Sequence, residues 1–337
     1  MPTISVVIPT YNRQRFIREA IRSVLYQTRS PAEIIICDDG STDGTEEVVM
    51  SMASTVPVVY KRQENQGPGA ARNLGAASAR GDWIAFLDDD DVWHPEKLAA
   101  QEDYVAAHPE VVFVYSHFEF IDEASHPMPM PTKWDELGLM IFDGNPPALP
   151  STVLVKKDVF LEIGGFDVRL KHAEDWDLFV RIAERFPTHC VEQKLVKHRR
   201  HGAQIHGDSR LIDQSWPAVH EMLCALWRDN PRKRAVLFRK TAQIYSSLGK
   251  QYLIDGDYIR ARISYKKALR YQPWSWKTMR RWGLSYVPIL REWYRRRKLD
   301  QRGNASLRNC FCQMSGGCDS GKSPGRAESF PDRQNQV

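Results

Sequence analysis

The chain has 337 residues, 42% of them hydrophobic, enough for one sizeable core with an appendage. Its formal net charge of +5 is modest but unevenly placed: between Lys277 and Arg302 nine Lys/Arg face only two acids, Glu292 and Asp300. No apolar stretch approaches the roughly 20 residues that a membrane-crossing helix needs, and Met1-Pro2-Thr3 leads straight into a strand-like segment without a signal-like region. The expected location is the cytoplasm, with peripheral contact at the inner face of the membrane.

Ile4-Ser5-Val6-Val7-Ile8 is β-branched, ends at Pro9 and predicts a buried strand. Phe16, Ile17, Ala20, Ile21, Val24 and Leu25 then recur at helical spacing. Ile34-Ile35-Ile36-Cys37 is a second strand, stopped by Asp38-Asp39-Gly40-Ser41, and Thr42 or Asp43 can cap a helix running to about Met52. Val56 to Tyr60 is a third strand. A helix from Pro68 to Ala79 leads into the apolar run Trp83–Leu87, which delivers Asp88, Asp89, Asp90 and Asp91. Clustered carboxylates at a strand exit need a compensating cation, and magnesium or manganese sites take one or two of them plus substrate phosphates. Four acids alone read equally well as a solvated acidic turn.

This βαβαβαβ order predicts a parallel, doubly wound sheet. Ligands of such sheets bind beyond the strands' carboxyl ends. Thr10-Tyr11-Asn12, Asp38-Asp39 and Asp88–Asp91 all fall there, so three polar clusters are expected to line one pocket.

Further along, a helix is expected over Pro95–Ala107, strands over Val111–Tyr115 and Ser151–Val155, and a short helix over Asp158–Ile163 closed by Gly164-Gly165. The Pro-, Asp- and Gly-rich stretch 122–150 reads as an acceptor-facing loop. Glu174 to Phe186 is a helix with Trp176, Phe179 and Val180 on its buried face. From about residue 212 the pattern is helical, and from about 300 it reads as disordered. Cys37, Cys190 and Cys224 lie in apolar contexts, whereas Cys310, Cys312 and Cys318 lack the paired spacing of a zinc site.

Five segments, in order, resemble the family 2 glycosyltransferases: Val7-Ile8-Pro9-Thr10-Tyr11-Asn12; Cys37-Asp38-Asp39-Gly40-Ser41-Thr42-Asp43; Asn65-Gln66-Gly67 with Ala70-Ala71-Arg72-Asn73; Phe86-Leu87-Asp88-Asp89-Asp90-Asp91-Val92-Trp93; and Gly164-Gly165-Phe166-Asp167 leading to Glu174-Asp175-Trp176-Asp177. The resemblance covers roughly residues 3–210. It implies the GT-A fold, a Rossmann-like, mostly parallel sheet flanked by helices, and inverting transfer from a nucleotide-diphosphate sugar.

What each segment does is likewise implied by the resemblance. Pro9, Thr10 and Tyr11 contact the nucleotide base, Tyr11 by stacking, and Asp39 accepts a hydrogen bond from the base edge. Arg72 stands beside the donor, near glycines that suit close approach to phosphate. Asp90 of a DxD-type motif ligates Mn2+ or Mg2+, while Asp88 and Asp89 face sugar, ribose or metal water, Asp89 at a variable position. Asp175 is the general base, Glu174 supports it, and His201 reaches the diphosphate. Without the resemblance, Glu174-Asp175 reads as acids complementing a helix dipole, and Trp93 as core.

Three regions are expected: a nucleotide-sugar transferase domain over 1–212, a helical region over 213–300, and a tail over 301–337. Leu248-Gly249, Tyr252, Gly256, Ala261, Tyr265, Ala268-Leu269 and Pro273 match one tetratricopeptide-like helix pair. Tyr286–Lys298 combines aromatics with Arg and Lys and suits an anionic membrane surface; no nucleic-acid module surrounds it. The expected partners are a nucleotide sugar, UDP-linked by preference, and a glycan or lipid-linked acceptor in bacterial surface polysaccharide or lipopolysaccharide assembly. A catalytically inactive nucleotide-sugar-binding scaffold is the alternative, and a nucleotidyltransferase of related fold fits less well because the first strand ends in Thr10-Tyr11-Asn12-Arg13 rather than a Gly-rich loop.

Overall fold

A computed structural model describes residues 2–129, 148–170, 173–201, 209–290, 292–294 and 296–297. Cys310, Cys312, Cys318, the tail and most of the 122–150 loop lie outside them.

The first half alternates as expected. Strand β1 (Ile4–Thr10) is followed by α1 (Ile17–Leu25), β2 (Glu33–Asp38), α2 (Thr45–Met50), β3 (Val58–Arg62), α3 (Pro68–Ser78) and β4 (Trp83–Phe86). The two-residue β5 (Val92–Trp93), α4 (Lys97–Ala107), β6 (Phe113–Ile121), β7 (Pro127–Met128), β8 (Leu154–Lys156), α5 (Lys157–Glu162), α6 (Glu174–Ala183) and β9 (Thr188–Arg199) complete the sheet region. Then come α7 (Ser209–Leu226), α8 (Pro231–Asp255), α9 (Tyr258–Tyr271) and α10 (Trp276–Leu284), with further helix described within 288–297.

The strands form one mixed sheet in the order β3-β2-β1-β4-β8-β6-β9-β5, with β7 on β6. The β3-β2-β1-β4 half is parallel, and β6 and β9 form a second, long parallel pair. Short antiparallel ladders through β8 join the halves.

β1 is buried along its whole length because both faces are covered. Val6 and Ile8 face α1 through Ile17, Ile21 and Val24, while Val7 faces α3 through Ala71 and Ala76. Each fully buried branched side chain contributes about 1.5–3 kcal/mol. α3 approaches closely at Gly75, where a β-carbon would run into Val7 and Cys37.

Several boundaries differ from expectation for identifiable reasons. β3 starts after Pro57, and Val56 is buried by core packing outside the strand. β6 continues to Ile121 through the polar pair Ser116-His117, where irregularities in the ladder to β9 accommodate it. Residues Pro150–Thr152 make a 3-10 turn, so β8 begins only at Leu154. Gly164 and Gly165 do take left-handed φ values of 86° and 62°.

Helix α6 is packed on two sides. Leu178, Phe179 and Ile182 join the sheet core, whereas Trp176 and Val180 join the core of the C-terminal helices. The Trp176 and Trp216 rings lie 5.2 Å apart. α8 and α9 form the expected helix pair, with Gly249 under the Tyr265 ring and Gly256 (φ 86°) ending α8.

Candidate active site

Three loops at the carboxyl ends of β1, β2 and β4 converge, as the strand order requires. Asn12 takes a left-handed φ of 53°, and its turn is tied to the β2 loop. Its N–H donates to Ser41 Oγ (2.9 Å), and its side-chain oxygen accepts from Thr42 N–H (2.8 Å). Pro9 and Thr10 are buried, while Tyr11 is 44% exposed. Of the three, Tyr11 offers a ring to a ligand.

Asp39 is buried, and its carboxylate accepts from Gln63 Nε2 (2.7 Å), Gln66 N–H (2.9 Å) and Gly67 N–H (2.7 Å). The loop amides that the glycines offered to phosphate are therefore partly committed to Asp39. Gly69, in turn, sits against Glu174 Cγ, which a β-carbon there would meet at 3.5 Å.

The four aspartates leaving β4 divide in function by environment. Asp91 is fully structural: it accepts from Ser151 Oγ (2.5 Å) and Arg199 N–H (3.0 Å) and pairs with His198 Nδ1 (3.0 Å). Ser151 also accepts from Asp88 N–H (3.0 Å), so one buried hydroxyl fixes both ends of the acidic loop. Burial pushes the His198 imidazole down, but the charge and hydrogen bond of Asp91 outweigh it and the net direction is up. Asp89 is buried beside Tyr11 N–H (3.3 Å) and Arg13 Nε (3.5 Å). Burial, then the neighbouring Asp90, hold its carboxyl well above the usual carboxylate range, against the pull of Arg13. Asp90 Oδ2 lies 2.8 Å from His201 Nε2.

Arg72 connects the acidic loop to helix α6. Its guanidinium donates to Asp88 Oδ1 (2.7 Å) and to Glu174 Oε1 (3.0 Å), with its carbon 5.3 Å from the centre of the Phe166 ring. Burial lowers its pKa, yet Asp88 and Glu174 more than restore it. Glu174 is raised by burial and then by Asp175, with Arg72 opposing. Asp175 stands half-buried at the first turn of α6, behind Ala173, whose φ is 64°. Arg72 thus bridges Asp88, from the acidic loop, and Glu174, from the start of α6.

Sequence reasoning gave no scaffold role to Ser151, Asn73 or Arg199. Asn73 holds the Phe166 loop through Nδ2 to Phe166 O (2.8 Å) and Oδ1 from Phe166 N–H (2.9 Å). Arg199, with His198, lies at the end of β9, and only 1% of it is exposed. It donates to Asp90 O (2.8 Å), Asp122 O (3.1 Å), Ser125 Oγ (2.8 Å) and Glu19 Oε2 (2.6 Å). It clamps these segments together. Trp93 is core, with its indole N–H on Ser151 O (2.8 Å).

A cavity of about 600 Å³ adjoins these loops, lined by Asn12, Arg13, Phe16, Asp43, Glu123 and His201 among others. That is within the range of small-molecule sites. Among the described residues no three His, Cys, Asp or Glu side chains form a ready-made metal centre. The donors that suit a divalent ion shared with substrate are the Asp90 carboxylate and the His201 imidazole, which are in contact.

Residues 5–164 match the family model described as glycosyl transferase family 2. An uncharacterized glycosyltransferase of Rickettsia prowazekii is 34% identical over 214 residues, covering 60% of this chain and 65% of the relative. One from Nostoc sp. is 35% identical over 215 residues, covering 60% and 66%. The chain thus spans a little under two thirds of these curated relatives. Among solved structures, S. aureus TarS 1–349 in complex with UDP-GlcNAc has a TM-score of 0.53 at 16% identity, covering 87% of this chain and 92% of that one. The mannosyltransferase PcManGT from Pyrobaculum calidifontis, in complex with GDP-Man and Mn2+, has a TM-score of 0.56 at 19% identity, covering 87% and 83%. This likeness shows a shared fold, the GT-A type.

Proposed function

We propose that the chain, whose residues 5–164 match the glycosyl transferase family 2 model, moves a sugar from a nucleotide-diphosphate donor to an acceptor hydroxyl with inversion of the anomeric carbon. One observation supports the reading: Arg72 spans from Asp88 to Glu174, which brings the acidic loop leaving β4 next to the start of α6. A direct displacement needs a leaving group on one side of the reacting carbon and one base on the other. It does not need the second carboxylate nucleophile of a retaining glycosidase.

In this reading Asp175 takes the acceptor hydroxyl's proton as its oxygen attacks, and Glu174, held by Arg72, fixes the start of α6 beside it. Tyr11 stacks on the base. Asp39 has three of its roughly four acceptor positions filled, leaving one for the base edge. Arg72 and Asp88 face the donor. Asp90 with His201 would hold Mn2+ or Mg2+, which when bound supplies Lewis-acid neutralisation of the departing diphosphate. The complexes of the two structural neighbours, one with UDP-GlcNAc and one with GDP-Man, support a donor of that class. The acceptor is a glycan or lipid-linked saccharide of a bacterial surface polymer.

The test is a thermal-shift screen of UDP-, GDP-, dTDP- and ADP-sugars with and without manganese, followed by release of nucleoside diphosphate from the best binder. A donor that raises Tm and is slowly hydrolysed supports transfer chemistry. Stabilisation with no diphosphate release, with or without candidate acceptors, would point instead to a binding scaffold. No stabilisation by any donor would overturn both.

A further inference from the structure

The described C-terminal end leaves large apolar side chains in water. Trp274 is 89% exposed and Trp276 75%, while Ile289 is 82% and Trp293 54% exposed. Tryptophan is ordinarily well buried on average, so this concentration within twenty residues is a feature to be explained.

Helical geometry shows how the last turn is built. The chain is helical at 288–290, 292–294 and 296–297. At 100° per residue, Ile289, Trp293, Arg296 and Arg297 fall on one face, whereas Tyr294 points away from it and is buried among the C-terminal helices. The Arg297 guanidinium lies 5.2 Å from the centre of the Trp293 ring. α10 repeats the design: Trp276, Lys277 and Arg280 are exposed, while Thr278 behind them is buried. Both helices therefore present apolar side chains edged by cations. The sequence from Lys277 to Arg302 carries nine Lys/Arg against two acids.

We propose that Trp274, Trp276, Ile289 and Trp293, edged by Lys277, Arg280, Arg296 and Arg297, form a surface that docks onto an anionic lipid bilayer. The composition fits that occupant on both counts. Indole rings settle at the boundary between headgroups and acyl chains, and guanidinium and ammonium groups sit among anionic headgroups while their stems cover apolar surface. No described helix is long and apolar enough to cross a membrane, so the contact is peripheral. The inference does not depend on the transfer reaction.

The test is co-sedimentation of the full chain with vesicles of phosphatidylcholine alone and with about 30 mol% phosphatidylglycerol, in about 0.1 M and about 1 M NaCl. Tryptophan emission is recorded in parallel. The expected result is at least about tenfold preference for anionic vesicles, a blue shift on binding, and loss of most binding in high salt. The triple variant Trp276→Ser/Ile289→Ser/Trp293→Ser should lose about tenfold in vesicle affinity while retaining the wild-type circular-dichroism spectrum and cooperative thermal unfolding in solution. Equal binding to both vesicle types, or an unchanged triple variant, would overturn the proposal. So would equally tight, tryptophan-independent binding to polyaspartate or duplex DNA, which would mark a mere polyanion site.

Discussion

His201 Nε2 and Asp90 Oδ2 stand 2.8 Å apart, although 111 residues separate them in the chain. The pair joins the end of β9 to the acidic loop leaving β4 and gives Asp90 a nitrogen partner that no local motif supplies. It is the natural place to test the role of a divalent ion.

Asp90→Ala and His201→Ala should each weaken manganese-dependent donor binding by about 10–100-fold. Calorimetry with manganese and with chelator checks this: the loss should appear only in the presence of the ion. Equal loss in chelator would assign the pair to shape rather than to metal.

Asp175→Asn should keep donor affinity and lower kcat by about 10²–10⁴-fold. The side chain is half-buried at the first turn of α6, and the amide is close to it in size, so unfolding is not expected. Wild-type turnover in this variant would remove the base assignment.

Arg72→Met should destabilise the fold by leaving two carboxylates without their cation. Breaking a buried pair costs about 3–5 kcal/mol. The lower end is expected here, because the Asp88 side chain is 25% exposed and screened on one side. Urea unfolding measures the loss, and adding Glu174→Gln should recover part of it. A double variant no more stable than the single one would mean that Glu174 is not the stranded charge.

His198→Gln tests the buried imidazole against Asp91. The folded-state pKa of His198 is raised, so its stabilising contribution is complete below the unfolded value of about 6.5 and fades as pH rises through the folded one. The Tm gap between wild type and variant should accordingly be wider near pH 5.5 than near pH 8.5. A gap that is constant with pH would show that the pair matters only as a neutral hydrogen bond.

The sequence made the outline of the first half plain because its signals are local. β1 is a β-branched run closed by Pro9-Thr10, and the same segment order that predicted converging loops brings Asp39, Asp88 and Asp90 to neighbouring strand ends. The second half was harder to read. β9 crosses back to lie beside β6 and carries polar residues throughout, so alternation is weak where Ser116 and His117 interrupt the ladder. The scaffold residues share that difficulty. Ser151 meets Asp91 across 60 positions, Arg199 meets Asp90 across 109, and Asn73 meets Phe166 across 93. No spacing rule reaches so far. Each is a polar side chain with an ordinary surface reading until the fold wholly or partly buries it.

Arg199 carries one more implication. A single guanidinium fastens the carbonyls of Asp90 and Asp122 together with Ser125, so the strip that opens the 122–150 stretch is moored to the same post as the acidic loop. Chimeras that import this stretch from another relative will therefore succeed or fail on whether the graft re-engages that arginine. Where it does not, a swap meant to alter acceptor choice will also loosen the donor side.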